Sequence, residues 1–342
     1  MKIVVVGGHG FLGALAVAAL RRDPAVTAIA AGRTARGDGS VRLDLTDPSS
    51  FAAVDGADVV VDVADATTTA PDALAAYCQQ RGITFLEATS DRDVVTRLMA
   101  RTEHEGDGAV VLGAGIFTGL SNLMAREVAA RVAGARSVTW AVRSTPFSGA
   151  GTGTVKLMAA VLAMPTVRYK GGRRVEGPPV RVGPRMPFPS GEQPTIEVPF
   201  AEAEMIHRSL GVDVTVAMSP YPNTLQRVFL WTPAWVLRSG WYGWFMGAYF
   251  GLLREVFLAK RASPVEMVAR VEGEGGATAT MTLRADDGMR AGGVAIAAIA
   301  RVLGTRRPER RGAVMVDEVM GLDEVLAAMD ALSGGRREVV LG

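Results

Sequence analysis

Lys2-Ile-Val-Val-Val-Gly-Gly-His-Gly-Phe-Leu-Gly13 is the stretch that decides the fold. The run from Ile3 to Val6 is continuously apolar rather than alternating, the mark of a strand buried on both faces of a parallel sheet. Gly8-His-Gly10-Phe11-Leu12-Gly13 then fits G-x-G-x-x-G, and an Ala/Leu-rich helix follows from about Phe11 to Arg22, stopped by Asp23-Pro24. In a dinucleotide-binding loop the first glycine permits the tight turn. The second lets the backbone approach a pyrophosphate, and the third lets helix and strand pack closely. The helix N-terminus offers unpaired N–H groups and a positive dipole to the phosphates. In a chain with 40 glycines the pattern is weak alone, and a ligand-free Gly-rich turn competes with it. Its place between a strand and a helix favours a dinucleotide. His9 reads as lining the turn.

Working outward, strand and helix alternate. Further strands are expected at Val26 to Ala31, Ser40 to Asp44, Ala57 to Ala64, Ile83 to Glu87 and Ala109 to Leu112. Helices are expected at Asp72 to Gln80, Asp91 to Glu103 and about Gly119 to Val132. This βαβ alternation predicts an α/β fold with a doubly wound parallel sheet, whose ligands sit at the carboxyl ends of the strands. The turns after the strands are therefore the places to search.

After the second strand comes Ala31-Gly32-Arg33-Thr34, with Arg33 twenty residues beyond Gly13. NAD-binding proteins usually carry Asp or Glu here for the ribose 2′-OH. A guanidinium instead suits a 2′-phosphate, through charge-assisted hydrogen bonds. NADP is thus expected over NAD, with Thr34 and Arg36 as helpers. A solvated Arg33, or one stacked on adenine without choosing between cofactors, is the competing reading. Asp44 and Leu45 end the third strand and are candidates for the adenine edge, though an exposed turn fits as well. The stretch from Ala64 to Thr67 ends the fourth strand, with small residues that would admit the nicotinamide-side ribose.

Composition narrows the class. The net charge is +2 and no Lys/Arg tract marks a nucleic-acid footprint. Cys78 is the single cysteine, which excludes an intramolecular disulfide and Cys-based zinc sites. With three histidines and no HExxH, no metal is expected. The apolar run after Met1 is too short for a signal peptide, and a reducing cytoplasm is the expected compartment. No Tyr-x-x-x-Lys or Gly-x-Ser-x-Gly occurs, which disfavours a short-chain dehydrogenase and a serine hydrolase.

In order and spacing the chain resembles the saccharopine dehydrogenase-like oxidoreductases. The resemblance is carried by the G-x-G-x-x-G, by Ala31-Gly-Arg33, by Ile83-Thr-Phe-Leu-Glu-Ala-Thr-Ser-Asp91 and by Gly113-Ala-Gly115-Ile-Phe-Thr118-Gly-Leu-Ser-Asn-Leu-Met124. The last is similar to the family's Gly-Phe-x-Pro-Gly-Leu-Ser-Asn-Leu, with Thr118 where proline is common. Glu87 and Asp91 replace the family's Asp and Glu. Glu204 to Leu210 is similar to an Arg-Ser element of the enoyl reductase-like branch. The resemblance implies a Rossmann domain over 1–134, a mixed-sheet substrate and dimerisation domain over 135–285, and a C-terminal segment, 286–342, returning to the first. It implies hydride transfer to or from a C=N bond of an amino acid-derived substrate, and it puts Gly115 and Thr118 near the nicotinamide.

The middle of the chain is less readable. Gly-rich 148–154 leads into a helix from Val155 to Met164, and 165–195, rich in Pro, Gly and Arg with weak strand signals, reads as irregular. Two strands are expected around Glu274-Gly-Gly276, and apolar helices at Met289 to Leu303 and Leu322 to Leu332. Between 228 and 258 lie Trp231, Trp235, Trp241 and Trp244. Only fifteen uncharged residues separate Arg238 from Arg254, short of the ~20 a membrane span needs. Core and homodimer-interface helices are one reading of this stretch; a hydrophobic substrate pocket or a peripheral membrane patch are others. The last two would suit a lipid-like enoyl or ketone substrate. Proton-donor candidates are Glu87, Asp91, Lys156 and His207, and Arg208 is a candidate for a substrate carboxylate. The absence of an obvious catalytic constellation leaves a non-catalytic NADP-binding scaffold or sensor as the reading from another class.

Overall fold

The computed structural model describes residues 1–37, 39–64, 70–144, 164–221 and 263–342, with scattered positions between 223 and 252. Lys156 and the helix expected from Val155 lie outside the described residues, apart from its last position, Met164. The chain divides into two compact units, 1–123 with 290–338, and 124–289 with 339–342.

The first unit is a seven-stranded sheet. Its strands are β1 (Lys2–Val6), β2 (Thr27–Gly32), β3 (Ser40–Arg42), β4 (Val59–Asp62), β5 (Thr84–Glu87), β6 (Ala109–Leu112) and β17 (Gly312–Met315). They lie in the order β17-β6-β5-β4-β1-β2-β3, every pair parallel. Ile3, Val4 and Val5 are fully buried, as the unbroken apolar run requires. Burying each such side chain contributes roughly 1.5–3 kcal/mol. The chain moves outward from β1 to β2 and β3, then returns to β4 on the other side of β1. That reversal opens a crevice at the carboxyl ends of β1 and β4, where ligands of doubly wound sheets sit.

The helices of this unit are α1 (Phe11–Leu20), α2 (Asp72–Gln80), α3 (Arg92–Met99), α4 (Ser121–Ala130, of which only the start belongs here), α6 (Gly288–Thr305), α7 (Val316–Val319) and α8 (Leu322–Leu332). The C-terminal segment thus returns to the first unit, with β17 extending the sheet beside β6. In α6, Val294 to Ala300 are all buried. Gly293 lets this helix approach α1, since a Cβ there would stand 2.5 Å from the Leu15 Cβ.

The second unit holds a mixed sheet, ordered β10-β13-β14-β7-β15-β16-β18, in which β10 is Arg181–Val182, β13 is Ile196–Glu197 and β18 is Val340–Leu341. Its central strands are β7 (Ser137–Ser144), β14 (Asp213–Pro220), β15 (Val265–Glu272) and β16 (Thr278–Ala285). β7 and β14 run parallel, while β15 pairs antiparallel with both β7 and β16, the pair expected around Glu274-Gly-Gly276. Helix α5 (Glu202–Leu210) packs against β14. The stretch 165–195 corrects the sequence reading. It carries β8 (Val167–Lys170), β9 (Arg173–Glu176), β10 (Arg181–Val182), β11 (Met186–Phe188) and β12 (Gly191–Gln193), while β13 (Ile196–Glu197) follows. Strands of two to four residues are too short to show an alternating pattern. β8 and β9 turn at Gly171-Gly172, both at positive φ, so the glycines that suggested irregular structure are hairpin turns. β11 and β12 lay Met186 and Phe188 over Ala141, Ala217 and Val268 of the sheet.

The aromatic stretch is not core where it is described. Trp231, Trp235, Trp241 and Trp244 are each 65–85% exposed. Among the described residues no helix is long and apolar enough to cross a membrane.

Candidate functional site

The glycine loop joins β1 to α1 at the crevice, and its geometry explains each glycine. A Cβ on Gly13 would lie 2.3 Å from the Gly7 carbonyl oxygen, and one on Gly8 would lie 2.7 Å from that of Val5. Gly10 differs, because its Cβ would meet only the Gly7 oxygen, at 3.1 Å. Gly8 and Gly13 are therefore required by packing, whereas Gly10 keeps one surface of the loop clear. The Gly10 N–H donates to Gly7 (2.8 Å), and Ala14 makes the first helical bond back to Gly10 (2.9 Å). No side chain caps α1 and no acid sits in its first turn, so the positive end of its dipole is not neutralised locally. Phe11 is exposed, and Leu12 is half-buried. The end of β4 packs on the same loop, with Ala64 N and Val63 3.0 Å from a Cβ on Gly7.

Arg33, Thr34 and Arg36 are exposed just beyond β2. His9 leans across the strand end, its Cδ2 3.2 Å from where a Gly32 Cβ would stand, with Nε2 buried and unpartnered. Asp44 is engaged in its own turn. Its Oδ1 accepts from Thr46 N (3.0 Å) and Thr46 Oγ1 (2.8 Å). Those bonds, with Arg42 and Arg33 nearby, hold its carboxyl below the usual range. Leu45 is buried. Asp65 to Thr67, the rest of the expected ribose-side stretch, lie outside the described residues.

After β6 the chain passes Gly115 at φ 87 into a single wide turn, Ile116–Leu120, closed by Leu120 N donating to Gly115 O (2.9 Å). Thr118 sits at φ 58 and is fully buried. A β-branched residue in this region is strained. Proline, held near φ −65°, cannot adopt it, so the departure from the family's Pro is conformational as well as chemical. Asn122 follows, fully buried, with neither amide atom hydrogen-bonded.

Glu87 and Asp62 end β5 and β4 as register partners, and each is only 3% exposed. Asp62 Oδ1 accepts from Ala64 N (2.9 Å), and Glu87 Oε1 accepts from Thr89 N (2.8 Å). Glu87 Oε2 is buried with no partner. Burial pushes the Asp62 carboxyl up to about 6. It pushes that of Glu87 well above the usual carboxylate range, with the neighbouring Asp62 adding to the effect. Both shifts favour the protonated form of a carboxyl over the ionised one. Asp62 was not singled out from the sequence. The signal was an acid ending an otherwise apolar buried strand.

The remaining candidates separate. Asp91 caps α3, accepting from Asp93 N (2.9 Å) and Val94 N (3.0 Å). His207 lies in the second unit, stacked on Tyr169 (3.7 Å between centroids) with Nδ1 2.7 Å from Val212 O. Arg208 is exposed. Among the described residues no group of three His, Cys, Asp or Glu side chains is gathered as a metal site.

A Rossmann-like sheet joined in sequence to a second mixed sheet, with residues 290–338 returning to the first unit, defines the class by fold. No protein-family model matches the sequence, and comparison with curated proteins gave no match. Solved structures are similar over the whole chain. Saccharopine dehydrogenase (L-Glu forming) from Saccharomyces cerevisiae superposes with a TM-score of 0.65 at 13% identity, covering 100% of this chain and 99% of that one. The DAP dehydrogenase of C. glutamicum, in complex with DAP, gives 0.50 at 15% identity, over 96% and 98% of the two chains. A substituted DAP-bound enzyme of the same kind from Clostridium tetani gives 0.51 at 11% identity, over 95% of both. At these identities the likeness is one of fold.

Proposed function

We propose that this protein is an NADP-dependent oxidoreductase that transfers hydride to or from the carbon of a C=N bond in an amino acid-derived substrate. The observation that carries the reading is the cradle at the carboxyl ends of β1 and β2. Gly8 and Gly13 allow the loop to pack tightly, Gly10 keeps one surface of it clear, an uncapped helix N-terminus stands behind it, and Arg33 occupies the position where an NAD enzyme places a carboxylate. In this reading Gly8, Gly10, Phe11, Leu12 and Gly13 hold the pyrophosphate, and Arg33 with Thr34 holds the 2′-phosphate. Asp44 and Leu45 border the adenine, while Ala64, Gly115 and Thr118 border the nicotinamide end. A nicotinamide dinucleotide bound there supplies the hydride. The full-length likeness to saccharopine dehydrogenase and DAP dehydrogenase supports the substrate class.

Of the proton-donor candidates, Glu87 has support in the burial that raises its carboxyl and in its place at a strand carboxyl end. The contacts of His207 are those of a helix-end packing residue. The test is a calorimetric titration of NADPH and NADH against wild type and Arg33→Asp. Wild type should prefer NADPH, and the variant should lose that preference. If neither nucleotide binds at millimolar concentration, the oxidoreductase reading falls in favour of a scaffold.

The four exposed tryptophans favour a second reading of the substrate, a hydrophobic enoyl or ketone met at a membrane surface, with a homodimer interface competing for the same side chains. Flotation with liposomes separates them. Co-flotation supports the membrane surface, whereas a protein that stays down and sediments as a dimer supports the interface.

A further inference from the structure

Three strands of the second unit place polar side chains in one row. Ser219 of β14 is the register partner of Arg143 on β7, and Arg143 is the register partner of Glu266 on β15. Register partners share a face of the sheet, so the row lies on one side. It continues the face covered by Met186 and Phe188, since Ala217, Ala141 and Val268 stand two residues away on the same strands.

The row is incompletely satisfied. Glu266 Oε2 accepts from Ser190 Oγ (2.5 Å) and Ser190 N (3.3 Å), and only at 3.9 Å does it meet Arg143 Nε. The Arg143 guanidinium carbon lies 5.1 Å from the Tyr221 ring centre. Arg143 Nη1 is buried with no hydrogen-bond partner. Ser219 is fully buried, and its Oγ has no partner either. A buried cationic N–H and a hydroxyl left unmet on adjacent strands are each costly, and one oxygen anion satisfies both. We propose that Arg143 and Ser219 form a carboxylate-binding site within the second unit, for a ligand of the amino acid-derived class proposed above, a reading on which this step rests. A carboxylate fits better than a phosphate, because the Glu266 carboxylate on the far side of Arg143 repels a dianion more strongly than a monoanion. A polar anchor in this row also opposes a wholly apolar substrate.

The experiment is calorimetry of the full chain, without nucleotide, against succinate, its neutral diamide and inorganic phosphate. Succinate should bind and the diamide should not. Arg143→Met should weaken succinate by about 10- to 150-fold, the range for a hydrogen bond to a charged group, and Ser219→Ala by about 2- to 10-fold. Should Arg143→Met fail to fold, Ser219→Ala carries the test. Equal binding of succinate by wild type and the folded variants, no binding of succinate at all, or tighter binding of phosphate overturns the anchor. Absence of NADPH binding in the separate titration overturns the oxidoreductase reading and leaves the succinate result standing by itself.

Discussion

Replacing Asp62 by Asn should stabilise this protein at and above about pH 6, and hardly at all at pH 4. Asp62 and Glu87 sit side by side at the ends of two buried strands, and burial raises Asp62 from 3.8 to about 6. A raised carboxyl favours the protonated form in the folded state. Its stabilising contribution is complete below 3.8 and is lost as pH rises through about 6. Above that pH the fold carries an ionised buried group, at a cost of about 3 kcal/mol for a shift of roughly two pH units. Asn is neutral at every pH, and its Oδ1 can still accept from Ala64 N, so the substitution removes the charge without the turn. At pH 8 the expected gain is about 3 kcal/mol, or roughly 4–8 °C in Tm depending on whether the whole chain or one unit melts. Thermal melts of both proteins at pH 8, 6 and 4 provide the assay, and the gap should close as pH falls from 6 to 4. A gap that is absent at pH 8, or equal at all three values, would refute the reasoning, since it would mean that Asp62 is solvated or neutralised in the fold.

The glycine loop separates packing from ligand clearance. Gly13→Ala forces a Cβ to 2.3 Å from a backbone oxygen, so it should lower Tm, by roughly 1–3 kcal/mol of overpacking, and reduce NADPH affinity. Gly10→Ala meets only a 3.1 Å contact and should leave Tm almost unchanged while reducing NADPH affinity at least tenfold (about 1.4 kcal/mol); melts and calorimetry on the two variants check the contrast. Asp91→Ala should cost about 1 kcal/mol of stability through the lost α3 cap, read by denaturant unfolding, and leave nucleotide affinity unchanged.

The first unit was legible because its information is local. A buried parallel strand shows as an unbroken apolar run, and the helix after it begins at a glycine pattern, so β1 and α1 follow from a dozen residues. The joining of β17 to β6 was foreshadowed only by the family resemblance, because some 200 residues separate the strands and nothing in Gly312–Met315 names its neighbour. Short strands defeated the periodicity reading at 165–195, where Pro and Gly punctuate pieces too brief to alternate.

The same distinction explains why the candidate cofactor loop was readable and the proposed carboxylate site was not. A dinucleotide loop is contiguous, and its demands are steric, so each glycine answers to a backbone atom a few residues away. Arg143, Ser219 and Glu266 span more than 120 residues and meet only through sheet register, which a single sequence does not disclose. The Asp62–Glu87 pair lies between these cases. Each acid closes a run of apolar residues, so its burial was open to inference. Its partnership needed β4 and β5 to be neighbours in register, and that adjacency adds the Asp62 charge to the burial that already raises Glu87.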